Sequence, residues 1–180
     1  GRLRWIEEGR ALETTAVMEG GRLRWLPAPS ETYEALRVRD RDDTRVRAFR
    51  DRVVAQLVAG GPIVDVRSPE EFRGERLHML ECPNEGAIRG GHIPGARSIP
   101  WGTSIDPETH TFRPADELRA IYQIEHRLKR DDDIIVYCRI GERSSLTWFV
   151  LKYLLGYPNV KNYDGSWTEW GNLVDAPVEK

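Results

Sequence analysis

The chain has 180 residues with 27 basic and 29 acidic side chains, and its formal net charge of −2 gives no electrostatic basis for binding nucleic acid or an anionic membrane surface. No apolar run approaches the roughly 18 consecutive residues that a membrane-spanning helix needs. The two cysteines are far apart and fit neither a disulfide framework nor a metal-ligand pattern, so, with no signal peptide in the sequence, we expect a cytoplasmic protein without metal or cofactor.

The first forty residues contain an extended segment and a linker. Thr14 to Leu26 alternates loosely around Glu19-Gly20-Gly21, which predicts a β-hairpin. Pro27-Ala28-Pro29-Ser30 has the composition of a linker, and the mixed charges of residues 37–52 favour a solvated surface over an interaction tail. We therefore expect the main packed domain to begin after this linker.

Helix and strand patterns alternate from Thr44 to residue 130. A helix is predicted from Thr44 to the pair Gly60-Gly61, followed by a buried strand from Ile63 to Val66. The next predicted elements are a short helix with Pro69 in its first turn, a surface loop at residues 75–91, a strand from Ala96 to Ile99, and a helix that opens at Pro114. This alternation predicts an α/β fold with a mostly parallel central sheet and helices on both faces.

The stretch from Asp131 to Leu155 contains the strongest functional pattern. Ile134-Ile135-Val136-Tyr137 is a short apolar, β-branched run typical of a buried strand, and apolar residues recur at helical spacing after Ser144. Cys138 is therefore expected at the carboxyl end of a strand, on a turn that opens into a helix. Ligands of parallel α/β sheets bind at this edge.

The turn after Cys138 has the composition of a site that holds a thiolate beside an anion. Backbone N–H groups at a helix N-terminus stabilise negative charge, and Arg139 and Arg143 add positive charge on either side. Gly141 allows the backbone to turn tightly. The other interpretation is a small buried cysteine after a core strand, but the arginines, the glycine and the serines that follow favour a nucleophile.

Four segments of the chain resemble signatures of the rhodanese family, the thiosulfate sulfurtransferases. In the family's order they are Asp65-Val66-Arg67-Ser68-Pro69-Glu70-Glu71-Phe72, Gly91-His92-Ile93-Pro94-Gly95-Ala96, Cys138-Arg139-Ile140-Gly141-Glu142-Arg143 and the run from Val160 to Trp170. The resemblance implies a rhodanese-like α/β fold with Cys138 as the catalytic nucleophile. The implied substrate-binding residues are Arg139, Ile140, Gly141, Glu142, Arg143, Ser144 and Arg67.

The resemblance also implies a reaction. A persulfide on Cys138 would carry sulfane sulfur from thiosulfate to cyanide or a thiol acceptor, with N–H groups from Ile140 to Ser144 around the extra sulfur. The arginine directly after the cysteine favours thiosulfate over 3-mercaptopyruvate. Arg67 is interpreted equally well as an ion-pair partner of Asp65, and Glu71 stands where tandem family members often have an arginine.

The resemblance further implies a domain organisation. Residues 1–38 are interpreted as the tail of a preceding rhodanese domain plus a linker, and residues 39–180 as the catalytic rhodanese domain. Gly1 to Glu13 is similar to a closing segment in which an aromatic residue, here Trp5, precedes a short helix; the alternative is a simple surface helix. The implied partner is an N-terminal rhodanese domain of the same protein, and we expect low activity without it.

Two other functions fit parts of the pattern. Cysteine phosphatases have one more residue between cysteine and arginine than separates Cys138 from Arg143, so this loop suits a sulfur atom better than a phosphate. A non-catalytic rhodanese-like interaction module would need neither the cysteine nor both flanking arginines. His92 follows Gly91 and is interpreted as a turn residue rather than a catalytic partner of Cys138.

Overall fold

The computed structural model describes residues 2–7, 10–19, 22–25, 43–79, 83 and 86–180. The chain divides into two compact units, Gly1–Asp42 and Asp43–Lys180. The predicted linker, the charged residues 37–42 and Cys82 lie outside the described residues. Within the described ranges, no helix combines the length and the hydrophobicity that crossing a bilayer requires.

The first unit contains three strands, β1 (Arg2–Glu7), β2 (Arg10–Glu19) and β3 (Arg22–Trp25), which form an antiparallel sheet in that order. Glu19 pairs with Arg22 and leaves two residues for the turn, so the predicted hairpin is confirmed. The short helix predicted after Trp5 is wrong. Trp5 pairs with Leu12 in the sheet, because polar and apolar residues alternate from Arg2 to Trp5 with the period of a strand.

Among its described residues, the second unit has five strands and five α-helices. The strands are β4 (Arg47–Ala48), β5 (Ile63–Asp65), β6 (Arg97–Ser98), β7 (Ile134–Tyr137) and β8 (Val160–Tyr163). The helices are α1 (Arg50–Ala59), α2 (Pro69–Phe72), α3 (Ala115–Arg119), α4 (Glu142–Phe149) and α5 (Ser166–Trp170). Wider π-helical turns extend α3 over Ala120–Glu125 and α4 over Val150–Leu154, and 3-10 turns lie at Asp43–Arg45 and Trp101–Ser104.

The five strands form one parallel sheet in the order β4-β8-β7-β5-β6. Alternate side chains of β7 enter two separate apolar layers: Ile134 and Val136 pack under α3 and α4, whereas Ile135 and Tyr137 pack with α1 and α5. The predicted α/β fold with helices on both faces is therefore confirmed. Cys138 follows the alternation and joins the layer of Ile134 and Val136.

The helix predicted from Thr44 begins later than expected. Arg47–Ala48 join the sheet as β4, and the Val46 carbonyl accepts a hydrogen bond of 2.8 Å from the Asn162 N–H. Pairing with β8 satisfies backbone N–H and C=O groups of this segment that hydrogen bonds within a helix would otherwise satisfy. The predicted end of the helix is confirmed, since the Gly60 N–H bonds back to carbonyls of α1.

Candidate active site

The carboxyl ends of β5, β7 and β8 bring together segments that are far apart in the sequence. Asp65 is the register partner of Tyr137, and Val136 is the partner of Asn162. The residues that follow these strands, including Arg67 and Cys138, therefore lie at one edge of the sheet. This is the edge at which parallel sheets bind ligands.

Cys138 lies directly after β7, and its side chain is 0% exposed. Burial alone fits an inert core cysteine as well as a nucleophile at the base of a site. The polar group closest to the sulfur among the described contacts is the Ser144 hydroxyl, whose Oγ lies 3.5 Å from Sγ. The sulfur therefore has a polar neighbour, which an inert core cysteine among apolar side chains lacks, and this favours the nucleophile.

The backbone on both sides of the Cys138 sulfur is held by the start of α5. The Cys138 N–H donates to Ser166 Oγ at 3.2 Å, and the Cys138 carbonyl accepts from the Trp167 N–H at 3.0 Å. The Arg139 carbonyl accepts from the Thr168 N–H at 2.9 Å. Ser166 itself has a φ of 48°, a strained value for a residue with a side chain. The run from Val160 to Trp170 therefore positions Cys138, a role that the sequence did not assign to Ser166.

Asn162 of β8 connects the loop to the Ser144 hydroxyl. Its Nδ2 donates to the Gly141 carbonyl at 2.9 Å, which fixes the orientation of the amide, and its Oδ1 accepts from Ser144 Oγ at 2.7 Å. Sequence reasoning missed Asn162, because it stands beside Lys161 in a strand of two polar and two apolar residues, and nothing local distinguishes it.

The N-terminus of α4 offers backbone donors next to Cys138. The first N–H groups of a helix have no acceptor within the helix. Among the hydrogen bonds of the described residues, none has the N–H of Ile140, Gly141, Glu142 or Arg143 as its donor. These groups and the helix dipole can stabilise an anion at this end of α4.

Arg143 is bound to a carboxylate. Its Nη1 and Nη2 each donate to Glu71 at 2.9 Å, and Glu71 also accepts the Ser68 N–H in the capping box of α2. Burial acts to raise the pKa of the Glu71 carboxyl, but the hydrogen bonds and charge of Arg143 lower it below its ordinary value. The guanidinium predicted to bind substrate is thus already paired with an acidic side chain.

Arg67 is a second predicted substrate contact that the structure places in an ion pair. Its side chain is 2% exposed, and its Nε and Nη2 donate to Asp65 while Nη2 also reaches the Gly91 carbonyl at 2.7 Å. The guanidinium stacks over the Trp167 ring at 4.4 Å. Burial acts to lower the pKa of Arg67, but Asp65 raises it. The geometry supports the ion-pair interpretation, and substrate binding by Arg67 stays a prediction.

The remaining predicted residues differ in burial. Ile140 is exposed, and the Glu142 side chain is 72% exposed. Arg139 is buried, with its Nη2 3.8 Å from Glu142 Oε2. The predicted residues from Cys138 to Ser144 therefore form the turn after β7 and the first turn of α4.

The Cys138 side chain is fully buried, so any reactant must displace some of the residues that bury it before it can reach the sulfur. An open cavity of about 380 Å³ lies at the opposite, amino edge of the sheet, where it is lined by Arg45, Asp133, Lys152, Pro158, Asn159 and Lys161. This cavity lies too far from the Cys138 sulfur to give a reactant access to it.

Within the described ranges, no three His, Cys, Asp or Glu side chains are grouped as metal ligands would be.

Gly141→Ala is expected to displace the loop. Gly141 has a φ of 83°, and an added Cβ would lie 3.0 Å from the Asp164 Cα. We expect a loss of about 1–3 kcal/mol in the free energy of unfolding, measured with urea, and a rate of Cys138 modification by iodoacetamide that differs from the wild-type rate. Gly95→Ala is the control, because Gly95 also has a positive φ but a Cβ there meets nothing within 4 Å. Equal modification rates in the two variants would contradict the prediction.

The Glu71–Arg143 pair is expected to stabilise the fold only above acidic pH. The pKa of Glu71 is lower in the folded chain than the value of about 4.3 in an unfolded one. Its contribution is therefore complete above that unfolded value and is lost as pH falls through the lowered folded value. Relative to Glu71→Gln, the wild type should be more stable by about 1–2 kcal/mol at neutral pH, and this difference should shrink on acidification. Urea unfolding of both proteins, at neutral pH and at a pH below the folded-state pKa of Glu71, measures this difference in stability. A difference that is the same at the two pH values would contradict the prediction.

Comparison with known proteins identifies related chains. The model of the rhodanese-like domain matches residues 50–173. The sulfur carrier protein TtuD of Thermus thermophilus is 52% identical over 100% of this chain and 59% of its own length. The Mycobacterium tuberculosis protein named "Putative thiosulfate sulfurtransferase SseA" is 49% identical over 90% of this chain and 56% of its own length. The chain therefore spans less than two thirds of the length of these relatives.

Solved structures show the same architecture. An EanB variant in complex with ergothioneine superposes with a TM-score of 0.65 and 28% identity, over 76% of this chain and 32% of that one. The Tum1 protein from Saccharomyces cerevisiae superposes with a TM-score of 0.57 and 28% identity, over 71% of this chain and 44% of that one. A further EanB structure, with a TM-score of 0.59 and 26% identity over 76% of this chain and 28% of that one, contains ergothioneine covalently linked with a persulfide cysteine.

Proposed function

The chain belongs to the rhodanese family, and on this premise we propose that it is a sulfurtransferase that moves sulfane sulfur from thiosulfate to cyanide or a thiol acceptor through a persulfide on Cys138. The observation that carries the proposal is the position of Cys138. The sulfur lies between a strand end and the open N–H groups of α4, with a hydroxyl 3.5 Å away. Nucleophilic thiolates occupy such positions because the helix N-terminus favours the anion.

The proposed reaction has two steps that balance in atoms and charge. The Cys138 thiolate attacks the outer sulfur of thiosulfate, a new S–S bond forms, and the S–S bond of thiosulfate breaks with its electron pair leaving on sulfite. The cysteine persulfide anion remains, with its charge on the outer sulfur. Cyanide or a thiolate then attacks that outer sulfur, and the departing electron pair restores the Cys138 thiolate.

The chain's own residues have defined roles in these steps. The open N–H groups of α4 stabilise the negative outer sulfur of the persulfide. Ser144 places its hydroxyl oxygen 3.5 Å from the Cys138 sulfur while its proton is donated to Asn162 Oδ1, and Ser166 and Trp167 hold the backbone from which that sulfur projects. None of these roles requires a metal or an organic cofactor.

The names of the relatives support two versions of the second step. The similar chains include one named "Putative thiosulfate sulfurtransferase SseA" and one named as a sulfur carrier protein. A carrier passes its sulfur to another protein, so a protein thiol is the acceptor class that the second name favours. In the first step, 3-mercaptopyruvate is the alternative donor to thiosulfate and would form the same persulfide on Cys138.

We also propose that the catalytic domain, residues 39–180, works with a preceding rhodanese domain of the same protein, of which residues 1–38 are the tail and linker. The relatives support this, because each is considerably longer than the part that matches the chain. We propose a cytoplasmic location, since the reduced state of Cys138 is needed for the reaction.

The test is direct detection of the persulfide. The purified chain is incubated with thiosulfate and its intact mass is measured before and after cyanide is added. We expect a gain of the mass of one sulfur atom, its loss on cyanide addition, and the appearance of thiocyanate. If the protein gains no sulfur from either thiosulfate or 3-mercaptopyruvate even when the proposed preceding domain is included, it would instead be a non-catalytic interaction module.

A further inference from the structure

The arginines near Cys138 are matched by carboxylates. Arg67 pairs with Asp65, and Arg143 pairs with Glu71. Arg139 has Glu142 at 3.8 Å. The surroundings of the sulfur therefore carry little net positive charge to attract a donor with two negative charges.

Glu71 is the carboxylate with the most direct effect on the loop. Its side chain is 4% exposed, and it forms both hydrogen bonds with Arg143. Glu142 is instead largely solvated, so water and salt screen its charge. Asp65 already forms a buried ion pair with the Arg67 guanidinium. A buried charge such as that of Glu71 acts over a longer range because little water lies around it.

Arg143 belongs to the same loop as the nucleophile. Ser144, the next residue, has its Oγ 3.5 Å from the Cys138 sulfur. Burial acts to lower the pKa of Arg143, whereas Glu71 and, more weakly, the Cys138 thiolate raise it. The first turn of α4 therefore connects the Glu71 carboxylate, which binds Arg143, to the Cys138 sulfur, which contacts Ser144.

We propose that Glu71 is a specificity-determining residue that neutralises Arg143 and thereby disfavours doubly charged sulfur donors relative to singly charged ones. This inference rests on the proposed function and concerns its first step. Thiosulfate brings two negative charges to the Cys138 thiolate and leaves as sulfite. Methanethiosulfonate brings one, transfers the same sulfane sulfur and leaves as methanesulfinate, so the two donors differ chiefly in charge.

The main test compares the two donors in Glu71→Gln. Glutamine keeps the size of the side chain and its place in the capping box, but it removes the negative charge. The ratio of kcat/KM for thiosulfate to kcat/KM for methanethiosulfonate should rise about tenfold. Glu70→Gln is the matched control, because it removes a neighbouring charge that has no contact with Arg143, and its ratio should equal that of the wild type. An unchanged ratio in Glu71→Gln overturns the inference.

A second readout does not depend on sulfur transfer. The rates at which iodoacetate and iodoacetamide alkylate Cys138 are measured by peptide mass spectrometry, and their ratio should also rise about tenfold in Glu71→Gln. Arg143→Gln leaves Glu71 without its partner and should lower this ratio.

If thiosulfate gives no turnover but the alkylation ratio shifts as expected, the proposed function fails and the role of Glu71 stands. If turnover occurs but neither ratio shifts in either variant, only the role of Glu71 fails.

Discussion

Cys138→Ser is expected to abolish sulfur transfer from thiosulfate, with a loss of at least about a thousandfold in the rate of thiocyanate formation. A serine hydroxyl is not ionised near neutral pH and cannot form a persulfide. The substitution changes one atom in a buried position, and the hydrogen bonds of the Cys138 backbone with Ser166 and Trp167 do not involve the sulfur. The variant should therefore remain folded, which urea unfolding can establish alongside the assay.

The second cysteine of the sequence provides the control for this substitution. Cys82→Ser should keep the wild-type rate and still gain one sulfur atom from thiosulfate, because Cys82 is no part of the loop after β7. Thiocyanate formation by Cys138→Ser within tenfold of the wild type would exclude Cys138 as the nucleophile. Loss of activity in Cys82→Ser alone would move the chemistry to the other cysteine.

Asp65→Ala is expected to lower the free energy of unfolding by about 3–5 kcal/mol, because it leaves the buried Arg67 guanidinium without its counter-charge. Asp65 accepts from the Arg67 backbone N–H, from its Nε and Nη2, and from the Tyr137 hydroxyl at 2.6 Å. All these donors lose their acceptor at once. The measurement is urea unfolding of the variant and the wild type at neutral pH.

Two further variants separate the buried charge from a general loss of packing. Arg73 makes a comparable two-bonded pair with Glu75 at the surface, and Arg73→Ala should change the unfolding midpoint little because water solvates both groups. Asp65→Ala combined with Arg67→Met should be more stable than Asp65→Ala alone, since the unpaired charge is removed. If the double variant is less stable than Asp65→Ala, the ion pair is not the cause of the effect.

The pairing of Arg143 with Glu71 shows why residue type alone misleads in this loop. Two arginines beside a cysteine indicate a site for an anion, and that expectation considers only the loop itself. The partner of Arg143 comes from α2, 72 residues away in the sequence. A charge count of the loop therefore overstates the positive charge that a donor meets.

The sequence by itself determined the local features of the candidate site. Each of these features depends on only a few neighbouring residues. They are the apolar runs with the period of a strand or a helix, the glycine after Cys138 and the proline at the start of α2. They were enough to predict an α/β fold and to place Cys138 between β7 and α4. The family resemblance adds the reaction that this position suggests.

Only the tertiary structure decided which side chains meet. The strand order β4-β8-β7-β5-β6 and its register bring Asn162 and Ser166 to Cys138 and Asp65 to Tyr137. The same sheet makes Arg47–Ala48 a strand where the local pattern predicts a helix. The physical reason is that pairing between distant segments depends on the backbone hydrogen bonds and packing of the whole sheet, which no short window of sequence contains.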